Sequence, residues 1–266
     1  MARIYTLANQ KGGVGKTTTA INLGAYLGYF GQRVLIVDLD PQSNATSSLI
    51  NDRSAVNKTT YEVLIGTAPI GPQILHSPER KISVLPSSPA LAGAEVELLD
   101  MPNRATRLKE ALQTVSEKYD YILIDCPPSL NILTINGLMA AKDGIIIPVQ
   151  CEYLALEGLG QLLQTIQRVK SSMFPGLKIR GVVMTMFMGR TKLADGVVAN
   201  VRQYFPNEVF ETLIPRSIRL AEAPSYFKPI SLYAPESVAA KAYENLAHEI
   251  LEQDGIHIPE ITTPKE

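Results

Sequence analysis

The sequence predicts an α/β fold: a doubly wound, mostly parallel β-sheet with helices on both faces. Apolar, β-branched segments alternate with helical patterns along the whole chain of 266 residues, which is typical of repeated βαβ units. The apolar segments are continuous rather than alternating in polarity, as in strands covered by helices on both sides. The expected strands are residues 4–8, 34–38, 82–86, 121–125, 144–149, 179–184, 209–214 and 230–232. The expected helices are residues 17–29, 104–118, 156–172, 194–204 and 238–252.

Length and composition indicate one globular domain. We assign residues 1–254 to this domain and residues 255–266 to a polar C-terminal tail. The formal net charge of −1 means that any nucleic-acid contact must come from a local patch. Two cysteines, Cys126 and Cys151, do not suggest a disulfide framework. No segment approaches the roughly 20 apolar residues of a membrane span, so we expect a cytoplasmic protein.

A glycine-rich loop lies between the first expected strand and the first expected helix. A strand, a glycine loop and a helix in this order are the context of a phosphate-binding P-loop. Glycines let backbone amides turn toward phosphate oxygens, and the helix N-terminus favours a bound anion. In such a loop Lys16 reaches the β- and γ-phosphates of ATP, and the Thr17 hydroxyl ligates Mg²⁺. The residues expected to bind the nucleotide are Lys11, Gly12, Gly13, Val14, Gly15, Lys16, Thr17 and Thr18.

Lys11 departs from the standard P-loop pattern. The strict pattern has a glycine where this chain has Gln10, and here a second lysine follows that position. Lys16 already serves the nucleotide from inside the loop, so Lys11 at the outer edge is placed to reach a phosphate held by a facing subunit. There it would neutralise developing negative charge as an arginine finger does. The alternative is a solvated surface lysine.

Two of the expected strands end in aspartates: Asp38 and Asp40 follow one, and Asp125 ends the other. Because ligands of open α/β sheets bind at the carboxyl ends of strands, all three should lie near the P-loop. We expect Asp40 to serve the water that attacks the γ-phosphate, and Asp125 to hold Mg²⁺, often through water. Asp38 either joins the Mg²⁺ shell, bonds a loop backbone or caps the following turn. The expected catalytic residues are Lys11, Lys16 and Asp40, and the expected metal site comprises Thr17, Asp40 and Asp125.

A basic segment lies between Lys178 and Lys228. It holds eight basic and four acidic residues, so its net charge is +4, whereas the rest of the chain carries −5. This asymmetry favours a localised phosphate-binding face, although solvated surface charge would give the same count. Contacts limited to phosphates would give salt-sensitive, sequence-independent DNA binding. The expected DNA contacts are Arg190, Lys192, Arg216 and Arg219, and Arg216 also has, with Pro215, an expected place beside the adenine.

These segments together resemble the ParA/Soj family of chromosome and plasmid partition ATPases, and the likeness covers nearly the whole chain. The P-loop alone would mark only the broader class of P-loop NTPases with a deviant Walker A motif, the SIMIBI type. The last of the matching segments narrows the resemblance to partition proteins. The matching segments are ANQKGGVGKTTTAINL (8–23), VDLDPQ (37–42), NAT (44–46), IDCPPS (124–129), PVQCEYLALEG (148–158) and IPRSIRLAEAPS (214–225).

The resemblance implies an ATP-dependent homodimer with two nucleotides at its interface. It implies that Lys11 crosses to the other subunit, that Asp40 supports hydrolysis and that Asp125 serves Mg²⁺. It also implies non-specific binding of double-stranded DNA by the ATP dimer, and hence association with the nucleoid. A ParB-type centromere-binding partner is expected to stimulate slow hydrolysis and so release the dimer from DNA.

Three other functions share the P-loop and are weighed against this one. The nearest alternative is a MinD-like ATPase that works on membranes, which would need a basic amphipathic helix, usually at the C-terminus. The C-terminal segment of this chain is instead acidic, so no membrane partner is expected. A redox protein similar to the nitrogenase iron protein would need cysteines in glycine-rich surroundings, which Cys126 and Cys151 lack. An ATP-using ligase of cofactor biosynthesis would need a site for a carboxylate substrate, and no segment indicates one.

Overall fold

One seven-stranded sheet organises the protein, whose computed structural model describes residues 1–77, 81–152, 155–189 and 191–258. The strands are β1 (Arg3–Leu7), β2 (Val34–Asp38), β3 (Leu75–Ser77), β4 (Ile82–Leu85), β5 (Tyr121–Asp125), β6 (Gly144–Gln150) and β7 (Ile179–Thr185). Their order across the sheet is β3-β4-β2-β5-β1-β6-β7. The short edge strand β3 runs antiparallel to β4, and the other pairings are parallel. The predicted fold class is confirmed.

Helices cover both faces of the sheet. On one face Leu7 of the sheet packs in a core with Leu23 and Leu246, and on the other Ile124 packs with Leu133 and Leu162. None of the described helices is both long enough and apolar enough to cross a membrane. The helices of the first face are α1 (Lys16–Tyr29), α2 (Asn44–Leu49), α10 (Ile230–Tyr233) and α11 (Val238–Gln253). Those of the second are α3 (Thr60–Ile65), α4 (Leu91–Glu97), α5 (Arg107–Gln113), α6 (Ile132–Ala140), α7 (Ala155–Ser172) and α8 (Lys192–Tyr204), and a short α9 (Ile218–Glu222) precedes α10.

The parallel pairing brings the carboxyl ends of the central strands to one edge of the sheet. Leu7 at the end of β1 and Asp38 at the end of β2 both lie opposite Asp125 at the end of β5. The loop that follows β1 therefore begins beside the two aspartates, as expected for a crevice at the carboxyl edge of such a sheet.

The predicted strand 209–214 is wrong. This segment runs beside β7 and bonds it at two points, where the Phe210 and Ile214 amides donate to the Val182 and Met184 carbonyls. Its bridge to β7, Val182 to Val209, is isolated, and a second bridge, Phe187 to Pro215, lies beyond both segments. Between Phe210 and Ile214, the backbone amides of Glu211 and Thr212 donate to the Glu249 carboxylate of α11 at 2.7 and 3.1 Å. Since those amides bond a helix side chain instead of a neighbouring strand, the segment does not continue the sheet.

The predicted strand 230–232 is also wrong, because these residues form the short helix α10. Pro229 precedes the helix, and the Ile230 amide donates to Asn22 Oδ1 at 2.7 Å. An apolar run of three residues does not distinguish a strand from a buried helical turn. The predicted helix 104–118 is shorter than expected, since α5 ends at Gln113 and a 3₁₀ turn follows at Ser116–Lys118.

Candidate nucleotide-binding site

The loop between β1 and α1 has the backbone of a phosphate cradle. Gly13 and Gly15 adopt left-handed conformations, with φ of 76° and 90°, which strain any residue with a side chain. No atom lies within 4 Å of the place where a Cβ on Gly13 would stand, so conformation rather than crowding requires that glycine. Directly after Gly15, α1 begins at Lys16, and its free amides face the loop.

The base of the loop is fixed to the two strands beyond β1. The Asn9 side-chain amide donates to the Pro148 carbonyl of β6 at 2.8 Å. The Thr185 hydroxyl at the end of β7 donates to the Val14 carbonyl, also at 2.8 Å. The loop is therefore held in its shape by the sheet. The sequence did not single out Thr185 or Asn9 for this role, because no local pattern marks a contact between segments so far apart.

Lys16 lies at the centre of the loop, and 6% of its surface is exposed. Its ammonium group donates to the Lys11 carbonyl at 3.3 Å across the loop. Burial lowers the pKa of Lys16, and the carboxylates of Asp125 and Asp40 oppose that shift. A buried cation beside a ring of backbone amides is suited to bind a polyphosphate, whose negative charge offsets the cost of burying the ammonium group.

Asp125 is fully buried, and neither of its carboxylate oxygens has a hydrogen-bond partner among the described residues. Burial raises the pKa of Asp125 to about 8; Asp38 adds to this shift, while the Thr17 hydroxyl and the Lys16 ammonium lower it. Thr17 acts on the pKa by proximity without reaching ordinary hydrogen-bond geometry. A buried carboxylate without partners, facing a lysine and a threonine hydroxyl, fits a site for Mg²⁺, which prefers carboxylate, hydroxyl and water oxygens.

Asp125→Asn should stabilise the nucleotide-free protein at pH 8. Because the folded pKa is raised from 3.8 to about 8, the folded state holds a proton that the unfolded state has lost, so stability falls as pH rises through this window. Asparagine removes that loss. At pH 8 in EDTA we therefore expect Tm to rise by about 3 °C, which corresponds to about 1 kcal/mol in the free energy of unfolding. Thermal unfolding from pH 4 to pH 9 should show a flatter pH dependence in the variant.

Asp38→Asn is the matched control for that experiment. Asp38 is equally buried, but its carboxylate accepts bonds from the Thr46 amide and hydroxyl and from the Asp40 amide, at 2.8, 2.6 and 3.2 Å. An asparagine would turn an amide donor toward these donors, so this variant should lose stability. A lower Tm for Asp125→Asn at pH 8 would contradict the account of its charge.

Asp38 and Asp40 have different surroundings. The Asp38 carboxylate accepts bonds from the loop backbone and from the Thr46 hydroxyl, as one of the alternatives held; its place in a Mg²⁺ shell stays a prediction. Asp40 is 6% exposed and its carboxylate accepts the Gln42 amide at 2.9 Å. Asp40 is therefore buried as Asp38 is, but its carboxylate has one described donor, the Gln42 amide, whereas the carboxylate of Asp38 has three.

A cavity of about 280 Å³ adjoins the phosphate loop. Gly15 and Thr18 beside the phosphate loop line this cavity, as do Pro215 and Arg216. Tyr243 of α11 also lines it and shares a hydrogen bond of 3.2 Å with the Thr19 hydroxyl on α1. A mostly apolar cavity directly beyond a phosphate loop has the right place and size for a nucleoside. The sequence alone does not identify Tyr243 as a cavity residue, because it occupies an ordinary core position of an amphipathic helix.

Lys11 points away from its own loop. Its ammonium group lies 3.4 Å from the Glu152 carboxylate, and the two side chains are 33% and 50% exposed. An ion pair this exposed contributes less than about 1 kcal/mol, so Lys11 is readily released to another partner.

The basic residues expected to bind DNA come from the segments that follow β7. The Arg216 amide donates to the Phe187 carbonyl at 3.1 Å, which joins the loop after β7 to the segment that follows residue 214. Lys192, Arg216 and Arg219 are all exposed, and Arg219 pairs with Glu222 at 3.0 Å. Arg190 lies outside the described residues.

The cysteines are structural. Both Cys126 and Cys151 are buried, and burial raises the pKa of each thiol. The Cys126 sulfur packs so tightly against α6 that a Cβ on Gly137 would stand 2.5 Å from it. A small buried thiol is thus what the packing beside Asp125 requires.

Comparisons with known proteins agree with this geometry. A family model described as "AAA domain" matches residues 2–179. The chain is 50% identical over 250 residues to "Sporulation initiation inhibitor protein Soj" of Bacillus subtilis, covering 94% of this chain and 98% of that protein. It is 49% identical over 255 residues to "Chromosome partitioning protein ParA" of Myxococcus xanthus, covering 96% of this chain and 89% of that protein.

Among solved structures, cobyrinic acid a,c-diamide synthase of Mycobacterium smegmatis, with bound ADP and magnesium, superposes with a TM-score of 0.83. It is 37% identical and covers 99% of this chain and 100% of that one. Its fold and bound ligands agree with the cradle and the carboxylates described above. The higher identities, over nearly full lengths, are to the Soj and ParA proteins. The chain belongs to the ParA/Soj family of ATPases.

Proposed function

We propose that this chain is a DNA-partition ATPase. It binds Mg-ATP, forms a homodimer with two nucleotides at the interface, and in that state binds double-stranded DNA non-specifically. A ParB-type partner then stimulates slow hydrolysis and releases the dimer from the nucleoid. The observation that carries the nucleotide part is the buried pair of Lys16 and partnerless Asp125 beneath a loop with two left-handed glycines.

Each side chain of the site has a proposed role toward Mg-ATP. Lys16 neutralises the β- and γ-phosphates, and Thr17 and Asp125 orient the metal, with Asp40 at the edge of its shell. Asp40 orients the water that attacks the γ-phosphate. The bound Mg²⁺ supplies charge neutralisation on the phosphate oxygens. Pro215 and Arg216 flank the adenine, which their position on the wall of the 280 Å³ cavity supports.

The proposal that Lys11 acts on the nucleotide of a facing subunit rests on its position. Its ammonium group is directed to the exposed Glu152, whereas Lys16 occupies the loop centre. A cation at the outer edge of the loop can approach a second γ-phosphate only if another subunit presents one. The chemistry that such a cation supplies is neutralisation of charge as the phosphoryl group departs.

DNA binding should depend on the nucleotide. We expect DNA to be bound in the presence of ATP and not of ADP or of no nucleotide, because only the triphosphate attracts Lys11 across the interface. Lys11→Ala should abolish binding, and Asp40→Ala should keep the DNA complex while blocking turnover. Tight binding that ignores the nucleotide would contradict the proposal.

Arg219→Ala should weaken DNA binding of the ATP-bound protein by about 3- to 10-fold and reduce the slope of log K against log salt by about 1, as loss of one phosphate contact does. The matched control is Arg33→Ala, directly before β2. Arg33 is similarly exposed, 58% against 60%, and similarly paired with a carboxylate. Fluorescence anisotropy in a salt series measures both effects; equal losses for the two variants would show that the Arg219 surface is not the DNA face.

The MinD-like alternative predicts ATP-dependent pelleting with anionic vesicles in the absence of DNA. Vesicle co-sedimentation separates the two functions, and our proposal requires that the protein stay in the supernatant. The C-terminal end of α11 carries the exposed Glu252, which anionic lipid would repel.

A second candidate function comes from the structural neighbour named as cobyrinic acid a,c-diamide synthase. Such an enzyme converts carboxylates to amides at the expense of ATP. Stimulation of ATP turnover by cobyrinic acid with an ammonia donor, and not by DNA with a ParB-type protein, would favour that function over partition.

A further inference from the structure

The loop that carries Asp40 is held by a residue from a different loop. Ser87 follows β4, and its hydroxyl donates to the Asp40 carbonyl at 2.7 Å. The Ser87 amide donates in turn to the Thr46 hydroxyl of α2 at 2.8 Å. Both Ser87 and Thr46 are 3% exposed, so water cannot readily substitute for either hydrogen bond.

The Thr46 hydroxyl connects this contact to Asp38. Since the Ser87 amide can only donate, the Thr46 oxygen accepts there, and its own hydrogen goes to Asp38 Oδ2 at 2.6 Å. The donor and the acceptor of each hydrogen bond from Ser87 through Thr46 to Asp38 are therefore fixed. The hydroxyls of Thr46 and Ser87 thus both join the loops that follow β2 and β4.

Both backbone groups of Asp40 end in this network. Its amide donates to Asp38 Oδ1 at 3.2 Å, and its carbonyl accepts from the Ser87 hydroxyl and from the Ser43 amide, both within 2.8 Å. With its backbone tied on both sides, Asp40 has little freedom besides its side-chain rotamers. Among the described residues, no hydrogen bond of this network reaches the phosphate loop.

We infer that Thr46 and Ser87 are positioning residues for ATP hydrolysis, which hold the Asp40 carboxylate where it must orient the attacking water. The inference rests on the proposed role of Asp40 in the function above. A displacement of about 1 Å in a reacting group lowers a rate by about 100-fold. The two hydroxyls therefore determine the rate of hydrolysis without taking part in binding the nucleotide.

The test uses four variants and one control in the full chain. Thr46→Val keeps the shape of the side chain and removes its hydroxyl, whereas Thr46→Ser keeps the hydroxyl. Ser87→Ala removes the hydrogen bond to the Asp40 carbonyl. Asp40→Ala gives the rate of hydrolysis in the absence of the carboxylate. The control is Ser48→Ala, also a buried serine of α2, whose hydroxyl donates to the Asn44 carbonyl at 2.7 Å and does not reach Asp40. Binding of ATP and single-turnover hydrolysis at saturating ATP are measured for each, on protein whose folding is checked by thermal unfolding.

We expect Thr46→Val and Ser87→Ala to bind ATP within about 3-fold of the original affinity and to hydrolyse it about 10- to 100-fold more slowly. Thr46→Ser and Ser48→Ala should hydrolyse at nearly the original rate. Unchanged hydrolysis in Thr46→Val and Ser87→Ala, with Asp40→Ala inactive, would overturn the inference and leave the proposed function intact. The inference would also be overturned if these variants lost stability or ATP affinity but hydrolysed bound ATP at the original rate, since that result indicates a structural role only. Full hydrolysis by Asp40→Ala would refute the catalytic role of Asp40 and the inference with it.

Discussion

Asp40→Ala is expected to bind ATP with nearly unchanged affinity and to hydrolyse it at least about 100-fold more slowly, the usual contribution of a group that orients or deprotonates the nucleophile. Affinity should be preserved because, in the proposed roles, Lys16 and the loop amides bind the phosphates, whereas Asp40 orients the attacking water. Single-turnover hydrolysis at saturating ATP measures the chemical step without the contribution of product release.

The control for Asp40→Ala is Asp52→Ala. Asp52 follows α2, and its carboxylate accepts the Ser54 amide at 2.9 Å in an exposed turn. Its removal should leave hydrolysis within about 2-fold, since surface changes of this kind have small effects. A rate in Asp40→Ala that equals the rate in Asp52→Ala would exclude a catalytic role for Asp40.

Lys11→Ala is expected to abolish the ATP-dependent dimer and to lower single-turnover hydrolysis by about 1,000-fold, the lower end of the effect of an arginine finger. Binding of ATP to the monomer should change little, because the Lys11 ammonium lies at Glu152, outside its own loop. Light scattering coupled to gel filtration, with ATP and with ADP, measures the dimer.

Glu152→Gln is the matched control for Lys11→Ala. It removes the same ion pair but leaves the lysine in place, so we expect dimerisation and hydrolysis within about 3-fold of the original values. If Glu152→Gln were as defective as Lys11→Ala, the ion pair within one subunit, and not the approach of Lys11 to a second nucleotide, would be what matters.

Lys16 and Asp125, which the structure brings together, could be singled out from the sequence because each belongs to a local pattern. Lys16 and the glycines before it form a contiguous motif between a strand and a helix, and Asp125 ends a continuous apolar run. Their meeting at one edge follows from the rule that parallel strands share a carboxyl edge. The start of helix α3 also has a local signal in the sequence, since Thr59 and Glu62 form a capping box.

The remaining features of the site and the fold depend on contacts between segments that are distant in the sequence. Ser87 bonds Asp40 from 47 residues away and Thr46 from 41 residues away, and no periodicity or spacing in the sequence marks such a pair. The failed strand 209–214 has the same cause, because Glu249 on α11 takes the amides that a neighbouring strand would have bonded. Tertiary contacts of this kind override local propensity.

Mixing the two inactive variants tests most directly whether Lys11 acts across a dimer interface. In a mixed dimer of Lys11→Ala with Asp40→Ala, the Lys11→Ala subunit keeps Asp40 and receives Lys11 from its neighbour, so one complete site forms. We predict that an equal mixture regains part of the original hydrolysis, because each mixed dimer has one complete site of its two. Random pairing would give about a quarter of the original rate, and the actual fraction depends on how well a dimer forms with a single Lys11. A mixture as inactive as its two components would contradict the account, since a lysine acting within its own subunit leaves no complete site in any dimer.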